Sequence, residues 1–102
     1  MFSLIKNLFA APANYKSLVD AGAVIVDVRT SSEFNSGHIH GAINIPVDAI
    51  AKKVNELKQK GKPVITCCRS GARSGVAVSI LTKAGIEAYN GGAWNNLQRQ
   101  LV

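Results

Sequence analysis

Acidic residues are scarce. Six Asp and Glu stand against twelve Lys and Arg in 102 residues, a net charge of +6. Charged residues of both signs make up only 18% of the chain and hydrophobic residues 47%. That balance excludes a disordered chain and leaves enough apolar material for a core. The length excludes a two-domain enzyme, or a dinucleotide-binding fold with a separate substrate domain. The positive excess favours anionic ligands or surfaces. Nucleic acid is not expected, because aromatic residues are only 6% and none is interleaved with basic ones.

Cysteine is scarce too. The two present, Cys67 and Cys68, are neighbours. The ring closed by adjacent cysteines strains the peptide between them, so no disulfide framework is expected. Free thiols point to a reducing compartment, with the cytoplasm as the expected location. Two ligands at zero spacing, without a second Cys/His pair of suitable spacing, match no common zinc site. Neither a metal nor an organic cofactor is expected.

No run is long enough to span a bilayer. Residues 1–12 form an apolar extension interrupted by Lys6 and Asn7. It is short for a secretory core, and no charge precedes it. Phe2, Ile5, Leu8 and Phe9 share one helical face, which predicts a short helix packed on the domain. Membrane-surface contact and export through this segment are the alternatives.

Residues 13–102 are expected to form one domain. Asn14 starts a short helix to about Ala21, with Gly22 as its stop. The β-branched run Ala23–Val28 predicts a strand buried on both faces. Ser31-Ser-Glu33-Phe34 reads as a helix start, and Ala42–Ile45 as a short strand. Val47, Ile50, Ala51, Val54 and Leu57 give an amphipathic helix that ends before Gly61 and Pro63. Its lysines, Lys52, Lys53, Lys58 and Lys60, form a solvated face. Val64–Cys67 predicts a second buried strand, Arg73 to about Ala84 a helix, and Glu87–Tyr89 a last strand. Gly91-Gly92 reads as a turn before a helix lined by Trp94, Leu97 and Leu101. Strands that alternate with helices predict a parallel α/β sheet wrapped by helices.

In such a sheet, ligands sit at the carboxyl ends of the strands. Cys68 falls where a strand ends and a helix begins. Ser70, Gly71 and Ala72 are small enough for the backbone to curl and turn successive N–H groups inward. Such a nest, backed by the positive end of the following helix, binds anions. The same field favours thiolate over thiol, so Cys68 is expected to have a lowered pKa and to act as a nucleophile. Arg69 and Arg73 add positive charge. Cys67 continues the strand alternation and is expected to point into the sheet layer. Asp27, at the end of a buried strand, needs partners. Arg29 and Glu33 are four apart and could pair, a small stabilising term if exposed. His38 is either a proton carrier or a loop-fixing hydrogen bonder. His40 is expected to be exposed.

Three stretches in order resemble the single-domain rhodanese family: Asp27-Val-Arg29 with Glu33-Phe34; Gly37-His-Ile-His-Gly41-Ala-Ile-Asn-Ile-Pro46; and Cys68-Arg-Ser-Gly-Ala-Arg73-Ser74. Gly91-Gly92 with Trp94 is similar to the family's C-terminal signature, at a shorter tryptophan spacing. The resemblance covers about Asn14 to Leu101. It implies a single rhodanese-like domain with a central parallel sheet of about five short strands and helices on both faces. It implies a thiosulfate sulfurtransferase in which Cys68 becomes a persulfide. The backbone N–H groups of Arg69, Ser70, Gly71, Ala72 and Arg73 would cradle the persulfide and the donor's oxygens. Arg69 falls at a position that tunes substrate choice, and Arg73 would bind a donor sulfonate or anchor the loop. Asp27, Arg29, Glu33 and His38 would support the site. The implied partners are a small anionic sulfur donor and a thiol or protein-cysteine acceptor, with the protein a monomer. Two alternatives stand beside this. Counted from Cys67, Cys67-x5-Arg73 has the spacing of cysteine phosphatases and arsenate reductases. Rhodanese-like domains also occur as non-catalytic binding modules.

Overall fold

The computed structural model describes residues 14–102. The helix expected over residues 1–12 lies outside the described residues.

Asn14 is extended, and its side chain accepts the Ser17 N–H at 3.1 Å, which starts helix α1 (Tyr15–Asp20). Strand β1 (Val24–Asp27) follows. Thr30 then opens helix α2 (Ser31–Asn35) with a full capping box: Thr30 Oγ1 accepts the Glu33 N–H and Glu33 Oε1 accepts the Thr30 N–H. Next come β2 (Ile43–Asn44), a 3-10 turn (Val47–Ala49) and α3 (Ile50–Gln59). The expected amphipathic helix therefore starts as a tighter turn after Pro46, and Ala51 faces solvent. Strand β3 (Val64–Cys68), α4 (Ala72–Lys83), β4 (Ala88–Ala93) and α5 (Trp94–Gln100) complete the chain.

The sheet is parallel, in the order β2-β1-β3-β4. It has four strands among the described residues, not about five. Alternation along the strands splits the core. Val26, Val64 and Cys68 lie in one cluster with Ile50 and Leu57 of α3 and Ala77 and Leu81 of α4. Ile25, Ile65 and Cys67 lie in another with Leu97 of α5, and Tyr15, Leu18 and Val19 of α1 pack against it. Helices thus cover both faces, and β3 is buried along its whole length.

A second difference is instructive. Gly91-Gly92 does not end the sheet but lies inside β4, where the register slips between Thr66↔Asn90 and Cys68↔Ala93. The slip is a bulge of the kind found beside functional sites. Gly91 makes it possible. A Cβ there would fall 2.8 Å from the Thr66 carbonyl oxygen and 2.8 Å from Leu97 Cδ2. The bulge brings Asn90 and Gly92 up against the start of α4.

Candidate active site

The end of β3 carries Cys68 to the floor of a turn. Gly71 stands at φ 103°, a left-handed conformation open to glycine, and from it α4 departs. Its N–H donates to Cys68 Sγ at 3.0 Å, and the Ser74 N–H donates at 3.4 Å. The thiol in turn donates to the Ser74 hydroxyl oxygen at 3.3 Å. Burial pushes the Cys68 thiol up, because Cys68 is fully enclosed. The hydrogen bond with the Ser74 hydroxyl and those from the N–H groups of Ser74, Gly71 and Ser70 outweigh that effect. The pKa therefore falls below the ordinary thiol value. Cys67 behaves oppositely. It points into the other core layer, and burial, then the nearby Asp27 carboxylate, push its thiol up to about 12. The two neighbouring thiols are thus shifted in opposite directions.

The cationic residues divide in the same way. Arg73 Nη1 and Nη2 donate to Glu33 Oε1 and Oε2 at 2.7 and 3.0 Å. This guanidinium anchors the loop to the cap of α2. The pairing that spacing leaves open to Arg29 and Glu33 does not form, because each residue has a better-placed partner. Arg29, two residues past the end of β1, reaches back to Asp27. Its Nε lies 2.9 Å from Asp27 Oδ1 and its Nη2 lies 2.7 Å from Oδ2. Nη2 also donates to the Gly37 carbonyl at 2.7 Å, and the guanidinium sits 4.8 Å from the centre of the Trp94 ring. Both members of the pair are buried. Asp27 and Arg29 thus hold β1, the 37–42 loop and α5 together beside the site. Arg69 is exposed at its rim.

His38 Nδ1 lies 2.7 Å from the Phe34 carbonyl oxygen, and its ring stacks on Phe34 with centroids 3.7 Å apart. That is the contact expected of a loop-fixing hydrogen bonder. His40 is exposed. Among the described residues, no cluster of three or more His, Cys, Asp or Glu could hold a metal ion. None of their helices is long and apolar enough to cross a membrane.

Three residues at this turn were given no role in the sequence reading. Thr66 Oγ1 donates to the Ser74 carbonyl at 3.0 Å, Ser74 Oγ donates to Asn90 Oδ1 at 2.6 Å, and Asn90 Nδ2 donates to the Gly71 carbonyl at 3.0 Å. Asn90 Oδ1 also accepts the Gly92 N–H at 2.9 Å. The sequence signals were modest. Ser74 directly follows the loop's second arginine, and Asn90 directly precedes the glycine pair.

A buried cysteine at the carboxyl end of a central parallel strand, held by N–H donors of the turn that starts the next helix, defines a class. The chain belongs to the rhodanese-like domain family, whose model matches residues 11–97. It is 44% identical over 69 residues to YqhL of Bacillus subtilis, a stretch that covers 67% of this chain and 54% of that protein. The chain therefore spans about half of that relative's length. It is 31% identical over 81 residues to the thiosulfate sulfurtransferase PspE of Escherichia coli, covering 78% of each. Among solved structures it is similar to a rhodanese with anions from E. coli. There the TM-score is 0.67 and the identity 28%, over 74% of this chain and 91% of that one.

Proposed function

We propose that this protein is a sulfurtransferase that moves sulfane sulfur through a persulfide on Cys68. The observation that carries the reading is the set of polar partners on one sulfur: the Gly71 and Ser74 N–H groups donate to Cys68 Sγ at 3.0 and 3.4 Å, and Sγ donates to the Ser74 hydroxyl oxygen at 3.3 Å. A ring of N–H donors stabilises negative charge whether it sits on Cys68 or on an added outer sulfur, and removing one such donor costs ~3 kcal/mol.

The donor is thiosulfate or a related anion. The Cys68 thiolate attacks the outer sulfur, the S–S bond of the donor breaks, and sulfite leaves with the bonding pair. Cys68 then holds a persulfide. A second nucleophile, cyanide in an assay and a thiol or protein cysteine in the cell, takes the outer sulfur and returns Cys68 to thiolate. No net oxidation occurs and no cofactor enters. Arg69, exposed at the rim, draws the anionic donor in. Arg73 holds the loop closed through Glu33. The protein works as a monomer in the cytoplasm, where thiols stay reduced.

The phosphatase or arsenate-reductase reading draws no support from the geometry. Cys67 faces the opposite core layer, and the Arg73 guanidinium is committed to Glu33 rather than turned toward the loop's centre. A steady-state assay of thiocyanate formation from thiosulfate and cyanide tests the proposal. Parallel double-reciprocal lines are expected, since two half-reactions share one covalent intermediate. Intersecting lines, or no thiocyanate from folded and reduced protein, contradict it.

A further inference from the structure

Ser74 is fully buried on the first turn of α4, and its single hydroxyl lies between Cys68 Sγ and Asn90 Oδ1. With Cys68 as a thiol, the geometry is a chain. The S–H donates to Ser74 Oγ at 3.3 Å, and the Ser74 O–H donates to Asn90 Oδ1 at 2.6 Å. The orientation of the Asn90 amide is fixed from both ends. Its Nδ2 faces the Gly71 carbonyl and its Oδ1 faces the Gly92 N–H. When Cys68 loses its proton, the chain cannot persist. A thiolate only accepts, and Ser74 has one proton to give. Asn90 Oδ1 can release that proton without being left bare, because it keeps the Gly92 N–H at 2.9 Å. Ser74 Oγ is also held in place by its own backbone, since Thr66 Oγ1 donates to the Ser74 carbonyl at 3.0 Å.

We propose that Ser74 is a catalytic residue whose hydroxyl turns from Asn90 Oδ1 to Cys68 Sγ when the sulfur becomes anionic, and so stabilises Cys68 as the leaving thiolate in the second half-reaction. Asn90 is the positioning residue that holds the hydroxyl when Cys68 is neutral. The proposal rests on the sulfurtransferase reading for its consequence, but not for the hydroxyl's turn. In the second half-reaction the acceptor sulfur bonds to the outer sulfur. The bond between the outer sulfur and Cys68 Sγ breaks, and its electron pair stays on Sγ. A lower thiol pKa makes a better leaving group, while intrinsic nucleophilicity falls with pKa. The hydroxyl thus hastens discharge and does not hasten loading once Cys68 is fully ionised.

The test is Ser74→Ala, with Ser74→Thr as the variant that restores a hydroxyl. Alanine removes one oxygen, suits a helix and leaves Asn90 Oδ1 satisfied, and circular dichroism checks the fold. Two readouts are taken. The first is the pH titration of Cys68 by thiolate absorbance in unloaded protein carrying Cys67→Ala. Loss of a hydrogen bond to a charged group shifts the ionisation equilibrium about tenfold, so the midpoint rises by about one pH unit in Ser74→Ala. The second is single-turnover kinetics above both midpoints. Loading from thiosulfate is expected to be no slower than in the unsubstituted protein, and discharge to cyanide several-fold slower, with Ser74→Thr recovering part of the loss. An unmoved midpoint overturns the proposal, as does an equal fall in both half-reactions. If the unsubstituted protein takes no sulfur from thiosulfate, the sulfurtransferase reading fails for that donor. The titration then still decides whether Ser74 turns to the thiolate.

Discussion

Arg73 and Glu33, forty positions apart in the chain, meet through two hydrogen bonds of 2.7 and 3.0 Å. The same carboxylate closes the capping box of α2 with Thr30. One side chain therefore ties the loop around Cys68 to the segment that follows β1. Both partners are partly exposed, at 35% for Arg73 and 27% for Glu33, so the pair is a clasp on the loop rather than a core element.

Replacing Glu33 by Gln tests the clasp through pH. The Arg73 guanidinium, with the Thr30 N–H, lowers the Glu33 carboxyl from 4.5 to about 2. A group lowered on folding adds stability above its unfolded pKa, and that stability disappears as pH falls through its folded one. The gap in urea midpoint between the unsubstituted protein and Glu33→Gln is expected to be constant above pH 4.5 and to close as pH falls toward about 2. A gap that persists at the acid end contradicts the ion pair as its source.

The buried pair beside the site predicts a larger effect. Asp27 is fully enclosed and Arg29 nearly so, joined at 2.7 Å. Asp27→Asn keeps the shape and strands the guanidinium charge. Breaking such a pair from one side costs about 3–5 kcal/mol in unfolding free energy. Denaturant titration reads it directly. A loss below ~1 kcal/mol, the range of a surface pair, contradicts the architectural role.

Gly91→Ala is expected to destabilise the fold and slow sulfur transfer together. The added methyl meets the Thr66 carbonyl and Leu97 at 2.8 Å, and the carbonyl cannot retreat without moving β3. Overpacking of this kind costs about 1–3 kcal/mol. Any shift of the bulge carries Asn90 away from Gly71 and Ser74. Full activity in a destabilised Gly91→Ala protein uncouples the bulge from the site.

The two cysteines are expected to separate completely. Cys68→Ser abolishes thiocyanate formation. Cys67→Ala retains it, at a stability cost of about 1 kcal/mol for a small core cavity. The rate of persulfide loading follows the Cys68 thiolate, so it rises with pH and levels off below the ordinary thiol value of 9.0, because the Cys68 pKa is lowered. A limb that follows the Cys67 value of about 12 contradicts the assignment.

The pattern of buried strands and helices was legible because β-branched runs and the 3.6-residue period are local signals. The run through Cys67 and Cys68 even separates the two thiols, since alternation alone puts them on opposite faces. Partner choice was not legible. Arg29 and Glu33 have helical spacing, yet Arg29 turns back to Asp27 at the end of β1 and Glu33 reaches Arg73 through space. Gly91-Gly92 carries the sequence signs of a turn, but the need to pass the Thr66 carbonyl places it in a strand bulge. Ser74 and Asn90 are ordinary surface residue types, and only the fold brings them to the sulfur.

The most direct test of the central claim is the intact mass of the reduced protein after thiosulfate treatment and removal of excess donor, beside Cys67→Ala and Cys68→Ser. The account predicts a gain of one sulfur, about 32 Da, in the unsubstituted protein and in Cys67→Ala, absent from Cys68→Ser and removed by cyanide. A folded, reduced protein that gains no sulfur, or gains it in Cys68→Ser, contradicts persulfide formation on Cys68.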